Sequence, residues 1–143
     1  MGMLVSVAIV AIVLMETGLV WSSVMRRERE AQLLAQGNEI RRAIGLYYDV
    51  QNTYPKTLEE LLLDKRQPVT KRYLRRLYKD PMDPTREWGV IEGPGETIMG
   101  VFSQAKGQPL KQGNFRKYNE TFIGQSSYQG WLFLYSPGQS SPL

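Results

Sequence analysis

Residues 3–24 read MLVSVAIVAIVLMETGLVWSSV, and the charged run Arg26-Arg27-Glu28-Arg29-Glu30 follows after one further residue. Glu16 is the only ionisable side chain in the apolar stretch. At about 1.5 Å per residue such a helix covers about 33 Å, which matches the bilayer hydrocarbon core of about 30 Å. The sequence therefore predicts a membrane-spanning half-helix over residues 1–25. A cleaved signal peptide would have a basic start and a small-x-small site after a shorter apolar stretch.

The helical pattern continues beyond the apolar stretch. Apolar side chains recur at spacings of three and four as far as Tyr48, and no proline occurs before Pro55. We therefore expect one helix from about Met3 to Gln51, with its continuation 26–52 in water. It should end before Tyr54-Pro55, because proline lacks an N–H and disfavours helical geometry in the residue before it. Three glycines weaken this helix and indicate bends or close contacts: Gly18, Gly37 and Gly45.

Short helices are predicted within residues 57–79. Thr57 and Glu60 form a capping-box pattern, which predicts a helix at about 58–64. Thr70 is placed to cap a second helix, which presents leucines and tyrosines on one face and cations on the other. Asp80-Pro81 then predicts a turn, as does the Asp-Pro that follows it.

The pattern changes to strands after residue 87. Residues 87–91 and 97–103 predict two strands joined by a hairpin loop at 92–96, and residues 131–135 predict a third. The polar stretch 104–129 should be irregular, and such loops often bind partners. We therefore expect an α+β fold, in which residues 26–143 form one soluble domain with a long helix packed on a small antiparallel sheet at 87–136.

Composition excludes several kinds of chemistry. The chain has 143 residues without a cysteine or a histidine, which removes disulfides, thiolate metal sites, cysteine nucleophiles and nearly every triad or zinc mechanism. Its formal net charge is +4, which fits an acidic partner or an ordinary basic surface equally well. We assign no catalytic residue, no cofactor and no metal ligand.

A basic segment lies between residues 65 and 79. It holds seven cations and no acidic residue, with two tyrosines interleaved. One interpretation is a nucleic-acid surface, with cations on phosphates and tyrosines on bases. The favoured interpretation is a solvated face or a contact with an acidic or anionic partner, because the tyrosines alternate with leucines expected to be buried. The seven cations are Lys65, Arg66, Lys71, Arg72, Arg75, Arg76 and Lys79.

Two sets of acidic residues are candidate sites. Glu16 at membrane depth is costly unless it contacts another helix, lies near the interface or is protonated, and these alternatives stay open. The second set is a cluster of five acidic residues between positions 80 and 96. Their spacing matches no calcium-binding loop, so we interpret them as turn residues. They are Asp80, Asp83, Glu87, Glu92 and Glu96.

An apolar helix that runs into an amphipathic one, then Tyr54-Pro55, then Lys79-Asp80-Pro81, then a small sheet opening near Trp88, resembles the type IV pilin superfamily. The chain is most similar to the major pseudopilins of type II secretion systems, in which a tyrosine-proline follows the long helix. In that family a lysine-aspartate-proline also precedes an aromatic residue that opens the sheet. The resemblance extends to about Ser103 and is looser beyond it.

The resemblance implies a structural filament subunit that supports protein secretion across the outer membrane, and no enzyme. Its partners would be copies of itself, other pseudopilins, an inner-membrane assembly platform and, if a leader exists, a prepilin peptidase whose product is methylated. It would be a single-pass protein of the bacterial inner membrane with its soluble domain in the periplasm. The residues we expect at assembly contacts are Gly2, Glu16, Arg26, Arg27 and Glu30.

Three features depart from the family pattern. Members carry a short basic leader and a glutamate as fifth mature residue, whereas only about nine apolar residues follow Glu16 here, too few to span. With the apolar tracts aligned, Gly2 falls near the glutamate position, so we expect that the chain begins inside the mature protein or has a misplaced start. The acidic loop that often binds calcium in these pseudopilins has no counterpart late in this chain, so calcium is not carried over.

Topology and function each have a competing interpretation. The cations after the apolar stretch would place the domain in the cytoplasm by the positive-inside rule, whereas the resemblance places it in the periplasm. We follow the resemblance, because a basic leader would supply the competing charges. The alternative function is a minor or DNA-uptake pilin that binds through residues 65–79, although nucleic acid is the less favoured partner, and a membrane-anchored enzyme ranks last.

Overall fold

The computed structural model describes the backbone of residues 2–139 and the side chains of residues 21–139. One long helix, α1, extends from Gly2 to Gln51. It ends where the sequence predicts, and Asn52 follows with a left-handed φ of 55° while its N–H donates to the Tyr48 carbonyl at 2.7 Å. The prediction of one continuous helix that stops before Tyr54-Pro55 is therefore confirmed.

Within the described residues, no helix combines the length and the apolar character that crossing a membrane requires. The predicted span at 1–25 depends mainly on side chains of residues 1–20, which lie outside the described set. The side chain of Glu16 also lies outside the described residues, and so does its predicted contact with another helix.

Three strands form an antiparallel sheet in the order β1-β2-β3. Strand β1 covers Gly89–Gly93 and β2 covers Thr97–Phe102, so the predicted hairpin is confirmed within two residues at each end. Gly95 and Glu96 supply the positive φ angles, 72° and 59°, that a tight hairpin turn needs. Strand β3 covers only Phe133–Leu134, shorter than the predicted 131–135, because it pairs with just Gly100 and Val101 of β2.

The prediction of short helices within residues 57–79 is mostly wrong. A single turn of 3-10 helix covers Leu58–Leu61, and residues 62–79 contain no helix. Tyr73 and Leu74 donate their N–H groups to the Leu61 carbonyl, which holds the segment against the 3-10 turn and leaves no helical ladder. The predicted capping box does not form, since the Thr57 side chain makes no cap hydrogen bond and the Glu60 carboxylate accepts from the Lys56 N–H at 2.9 Å instead of from that of Thr57.

The second half of α1 packs on the sheet and buries the core. Its apolar side meets the middle strand and an aromatic cluster from the C-terminal part of the chain, in which Phe122 and Trp131 stack with ring centroids 5.5 Å apart. The stretch predicted to be irregular carries two short 3-10 helices, Lys117–Phe122 and Tyr128–Gly130. The fold is therefore α+β, with a long N-terminal helix packed on a three-stranded antiparallel sheet. The fully buried core residues include Leu33, Ile44, Leu61, Val101, Phe122, Trp131 and Phe133.

Candidate functional site

Three residues on one face of α1 contact strand β3 and the residues beside it. Gly37, Arg41 and Gly45 follow one another at intervals of four and therefore lie on one face. A Cβ at Gly37 would lie 2.6 Å from the Phe133 ring, and one at Gly45 would lie 2.8 Å from the Tyr135 ring. The glycines at 37 and 45 thus mark close contacts, one of the two meanings that the sequence allowed, whereas Gly18 lies among residues without described side chains.

Arg41 is a buried cation without a carboxylate partner among the described residues. Only 4% of the residue is exposed. Its guanidinium donates to the carbonyls of Tyr118 and Leu132, at 2.7 and 2.9 Å, and lies over the rings of Phe122 and Phe133. Burial lowers its pKa to about 10. Arg41 therefore ties α1 to the two segments that flank the aromatic cluster, at a desolvation cost that hydrogen bonds and ring faces offset in part.

Glu30 also links α1 to the C-terminal part of the chain. It lies six residues after Val24, and only 3% of the residue is exposed. It accepts from the Tyr128 hydroxyl at 2.5 Å and from the N–H groups of Leu110 and Lys111 at 2.5 and 3.2 Å. Arg26 donates to the same hydroxyl at 3.1 Å and also to the Gln108 carbonyl. Burial, with the bond to Glu30, raises the pKa of Tyr128 to about 12.

These contacts bury part of the charged run 26–30. Arg27, Glu28 and Arg29 are exposed, whereas Arg26 is half-buried and Glu30 is buried. Arg26 and Glu30 are four residues apart on α1, and both bond to the Tyr128 hydroxyl. Of the assembly residues predicted in this run, Arg27 is therefore the one that is exposed in the single chain.

Arg66 belongs to the fold and does not join the other cations of the basic segment. It pairs with Asp64 at 2.8 Å, donates to the Tyr47 carbonyl at 2.8 Å, and lies 3.4 Å from the centroid of the Tyr47 ring. The Tyr73 hydroxyl donates to the same carboxylate at 2.9 Å. The hydrogen bond from Arg66 lowers the pKa of Asp64 to about 2. This clasp fixes the start of the basic segment beside the end of α1.

The remaining six cations of the segment are exposed: Lys65, Lys71, Arg72, Arg75, Arg76 and Lys79. Both interleaved tyrosines are half-buried and already contact other side chains. Tyr73 packs edge-on against Tyr47 with centroids 6.2 Å apart, and Arg76 lies over the Tyr78 ring at 5.1 Å. The segment therefore offers a partner mainly positive charge.

The acidic residues between 80 and 96 do not gather. In the described part of the chain, no three acidic side chains are placed to hold a metal ion together. Asp80 is buried and accepts from the Ser103 hydroxyl at 2.6 Å, while Asp83 caps its own turn by accepting from Thr85. Asp80 thus fixes the loop after β2 to the turn that precedes β1.

An open groove of about 510 Å³ lies between the 3-10 turn, residues 74–79 and strand β1. Leu77 and Val90 contribute exposed apolar surface, and buried Trp88 forms part of the wall. Lys56, Lys79, Arg86, Glu59 and Glu87 supply its charges. Its charges are mixed, and the Thr85 hydroxyl at its edge donates to the Asp83 carboxylate within a turn.

Sequence reasoning missed Arg41 and Tyr128. Arg41 had a readable signal, because it falls midway between Gly37 and Gly45 on the face that the apolar pattern predicts to be buried. Tyr128 had none, since its partner Glu30 lies 98 positions away in the chain.

No protein-family model matches the chain, and no curated protein or solved structure is significantly similar to it. The functional argument therefore depends on the residues and contacts described above.

Proposed function

We propose that this chain is a structural filament subunit, similar to the major pseudopilins of type II secretion systems within the type IV pilin superfamily. The observation that carries the proposal is helix α1, which continues without a break from Gly2 to Gln51 and packs its second half on a small antiparallel sheet. Such a helix, with an apolar first half by sequence, gives each subunit a long surface for contact with the next copy.

Assembly in this proposal is polymerisation and involves no bond chemistry. Contacts between unlike surfaces of identical subunits extend into filaments when the rotation from one subunit to the next does not close a ring. The apolar half of the helix would lie in the inner membrane before assembly and in the filament core afterwards. Copies of the chain, related subunits and a membrane platform would be its partners, with residues 26–143 in the periplasm.

The test uses the full chain in a host that carries its neighbouring genes. Filaments sheared from the cells would be imaged by electron microscopy with antibody against the domain. Val13→Glu, which places a charge in the apolar stretch, should abolish filaments, because a carboxylate in the bilayer is costly. The matched Val13→Leu should leave them intact. Filaments that persist unchanged with Val13→Glu, or labelled filaments that never form with the unchanged chain, would contradict the proposal.

A reporter enzyme fused after Leu143 tests the orientation separately. A reporter active only in the periplasm should give signal, since the domain is proposed to lie there. Signal restricted to a cytoplasmic reporter would place the domain on the opposite side, as the cations after the apolar stretch would by themselves.

A further inference from the structure

Two segments of the domain fold back along α1 toward the end of the apolar stretch. Arg76 and Lys79 line a shallow cavity together with Gln32 and Gln36 of the helix. On another side, the backbone of residues 108–111 is bonded to Arg26 and Glu30. Both segments therefore lie beside the first few helical turns after Val24.

We define the basal surface as the five exposed cations of this region: Arg27, Arg29, Arg76, Lys79 and Lys106. Gln32 and Gln36 follow Val24 by about 12 and 18 Å along the helix axis. The Debye length is about 10 Å at 0.1 M salt. Arg27 and Arg29, which follow Val24 by three and five residues, are therefore near enough to be attracted electrostatically to an anionic surface at the end of the apolar stretch.

Few acidic side chains oppose these charges. In the described segments 26–32, 76–80 and 104–111, Glu28 is the only exposed acid. Glu30 and Asp80 are buried and bonded to donors of the fold. The next acid along the groove, Glu87, lies beyond Lys79. The basal surface is therefore positive as a unit.

An aromatic side chain lies on α1 between the apolar stretch and the basal cations. Trp21 is 67% exposed, and it stands at the end of the apolar stretch, just before the charged run. Tryptophan is enriched at the boundary between hydrocarbon and headgroups, and basic residues beside such a boundary are attracted to anionic lipids. Along the helix, Trp21 comes first, then the end of the apolar stretch, and then the basal cations. This is the order expected from the edge of the hydrocarbon into the headgroup layer.

We propose that the basal surface binds anionic phospholipid headgroups while the subunit resides in the membrane, which holds the domain against the bilayer before assembly. The inference rests on the proposed function, because it needs the apolar half to be inserted. The ligand is the phosphate-bearing face of a bilayer, recognised by its negative charge.

The experiment reconstitutes the full chain into vesicles of phosphatidylcholine alone or mixed with phosphatidylglycerol. Gln108→Cys supplies the only cysteine of the sequence, and this exposed side chain makes no hydrogen bond to any other residue that the structure describes. A dye on it would be quenched by lipids that carry a quencher on the headgroup. Quenching should be stronger with phosphatidylglycerol and should weaken as salt is added.

Matched charge variants locate the contact. Removing three basal cations, in Arg76→Gln, Lys79→Gln and Lys106→Gln combined, should lower the docking equilibrium constant about tenfold, less than the roughly fivefold per cation of charges at the surface itself because Arg76 and Lys79 lie about a Debye length or more from it. The control removes three cations far from the membrane, Lys65→Gln, Lys71→Gln and Arg72→Gln, and should leave quenching unchanged. Lys71 pairs through its backbone with Asp64, beside Tyr47, about 35 Å along the helix from Val24.

The outcomes separate this inference from the proposed function. Equal quenching in both lipid mixtures, or an equal loss in the control variant, would overturn the inference while the subunit remains inserted. A chain that floats with neither kind of vesicle would instead overturn the proposed function.

Discussion

The two halves of helix α1 suit different surroundings. Residues 3–24 contain one charged side chain, whereas residues 26–51 contain nine. The second half packs apolar side chains such as Leu33 and Ile44 into the core and turns most of its charges to solvent. Since a helix satisfies its backbone hydrogen bonds internally, one backbone can serve in lipid and in water, and only the side chains need to differ.

Two charges of the second half face inward and are the exception. Glu30 and Arg41 are both buried, and each is satisfied mainly by uncharged groups from the C-terminal part of the chain. Buried charges are costly unless they are bonded, so these residues favour one placement of that part on the helix. The second half is thus a scaffold for the domain, which the changes below should weaken.

The largest loss is expected at the seat of β3. Phe133→Ala should lower the free energy of unfolding by about 3–5 kcal/mol, because it empties space beside Gly37 and Arg41 in a fully buried site. The neighbouring Leu132→Ala, at a side chain that is 38% exposed, should cost under about 1 kcal/mol. Chemical denaturation measures both, and equal losses would contradict the described packing.

Asp64→Asn should cost about 2 kcal/mol at neutral pH, since the folded pKa of about 2 lies below the usual 3.8. A depressed carboxyl pKa contributes stability above its unfolded value, and that stability is lost as pH falls through the folded value. The difference between the two chains should therefore shrink between about pH 4 and pH 2. Denaturation across this range measures it, with exposed Glu59→Gln as the control. If the difference in unfolding free energy stayed constant with pH, the ion pair between Asp64 and Arg66 would not contribute to stability as described.

Gly37→Ala should destabilise the domain by about 1–2 kcal/mol, although alanine is the better helix former by about 1 kcal/mol. The added methyl group would meet the Phe133 ring at 2.6 Å. Gly113→Ala, where nothing lies within 4 Å, should be nearly neutral. Thermal melting of the two variants checks this, and a stabilised Gly37→Ala chain would show that β3 is not seated there.

The smallest effect is expected from Tyr128→Phe, which should cost about 1 kcal/mol by removing one of the donors to Glu30. The pKa of Tyr128 is raised to about 12, so its contribution is complete below pH 10 and is lost as pH rises through 12. The variant should therefore lose less stability than the parent between pH 10 and 12. Parallel alkaline curves would contradict the bond.

Local signals carried the parts of the fold that were predicted. Proline at 55 and the apolar period placed the end of α1, and the glycines at 93 and 95 placed the hairpin turn. The segment after Thr70 has a helical pattern as well, but its backbone bonds to Leu61 and Asp64 instead. Tertiary hydrogen bonds of that kind override a weak local preference and leave no periodic trace in the sequence.

The candidate site was predicted less completely. Exposure of Arg27 and of most of the basic segment follows from composition, whereas Arg66 is withdrawn into the clasp with Asp64 and Tyr47. The partners of Glu30 and Arg41 lie 77 to 98 positions away, and spacing rules do not reach that far. Only the stripe Gly37, Arg41, Gly45 carried a local hint of such a contact.

Alkaline carbonate extraction of membranes tests the central claim most directly, by comparing the full chain with residues 26–143. We predict that the full chain stays in the membrane pellet, whereas the shortened chain appears in the supernatant with the same near-ultraviolet circular dichroism as the domain in the full chain. Recovery of the full chain in the supernatant would contradict the account, because both halves of α1 would then have the same surroundings.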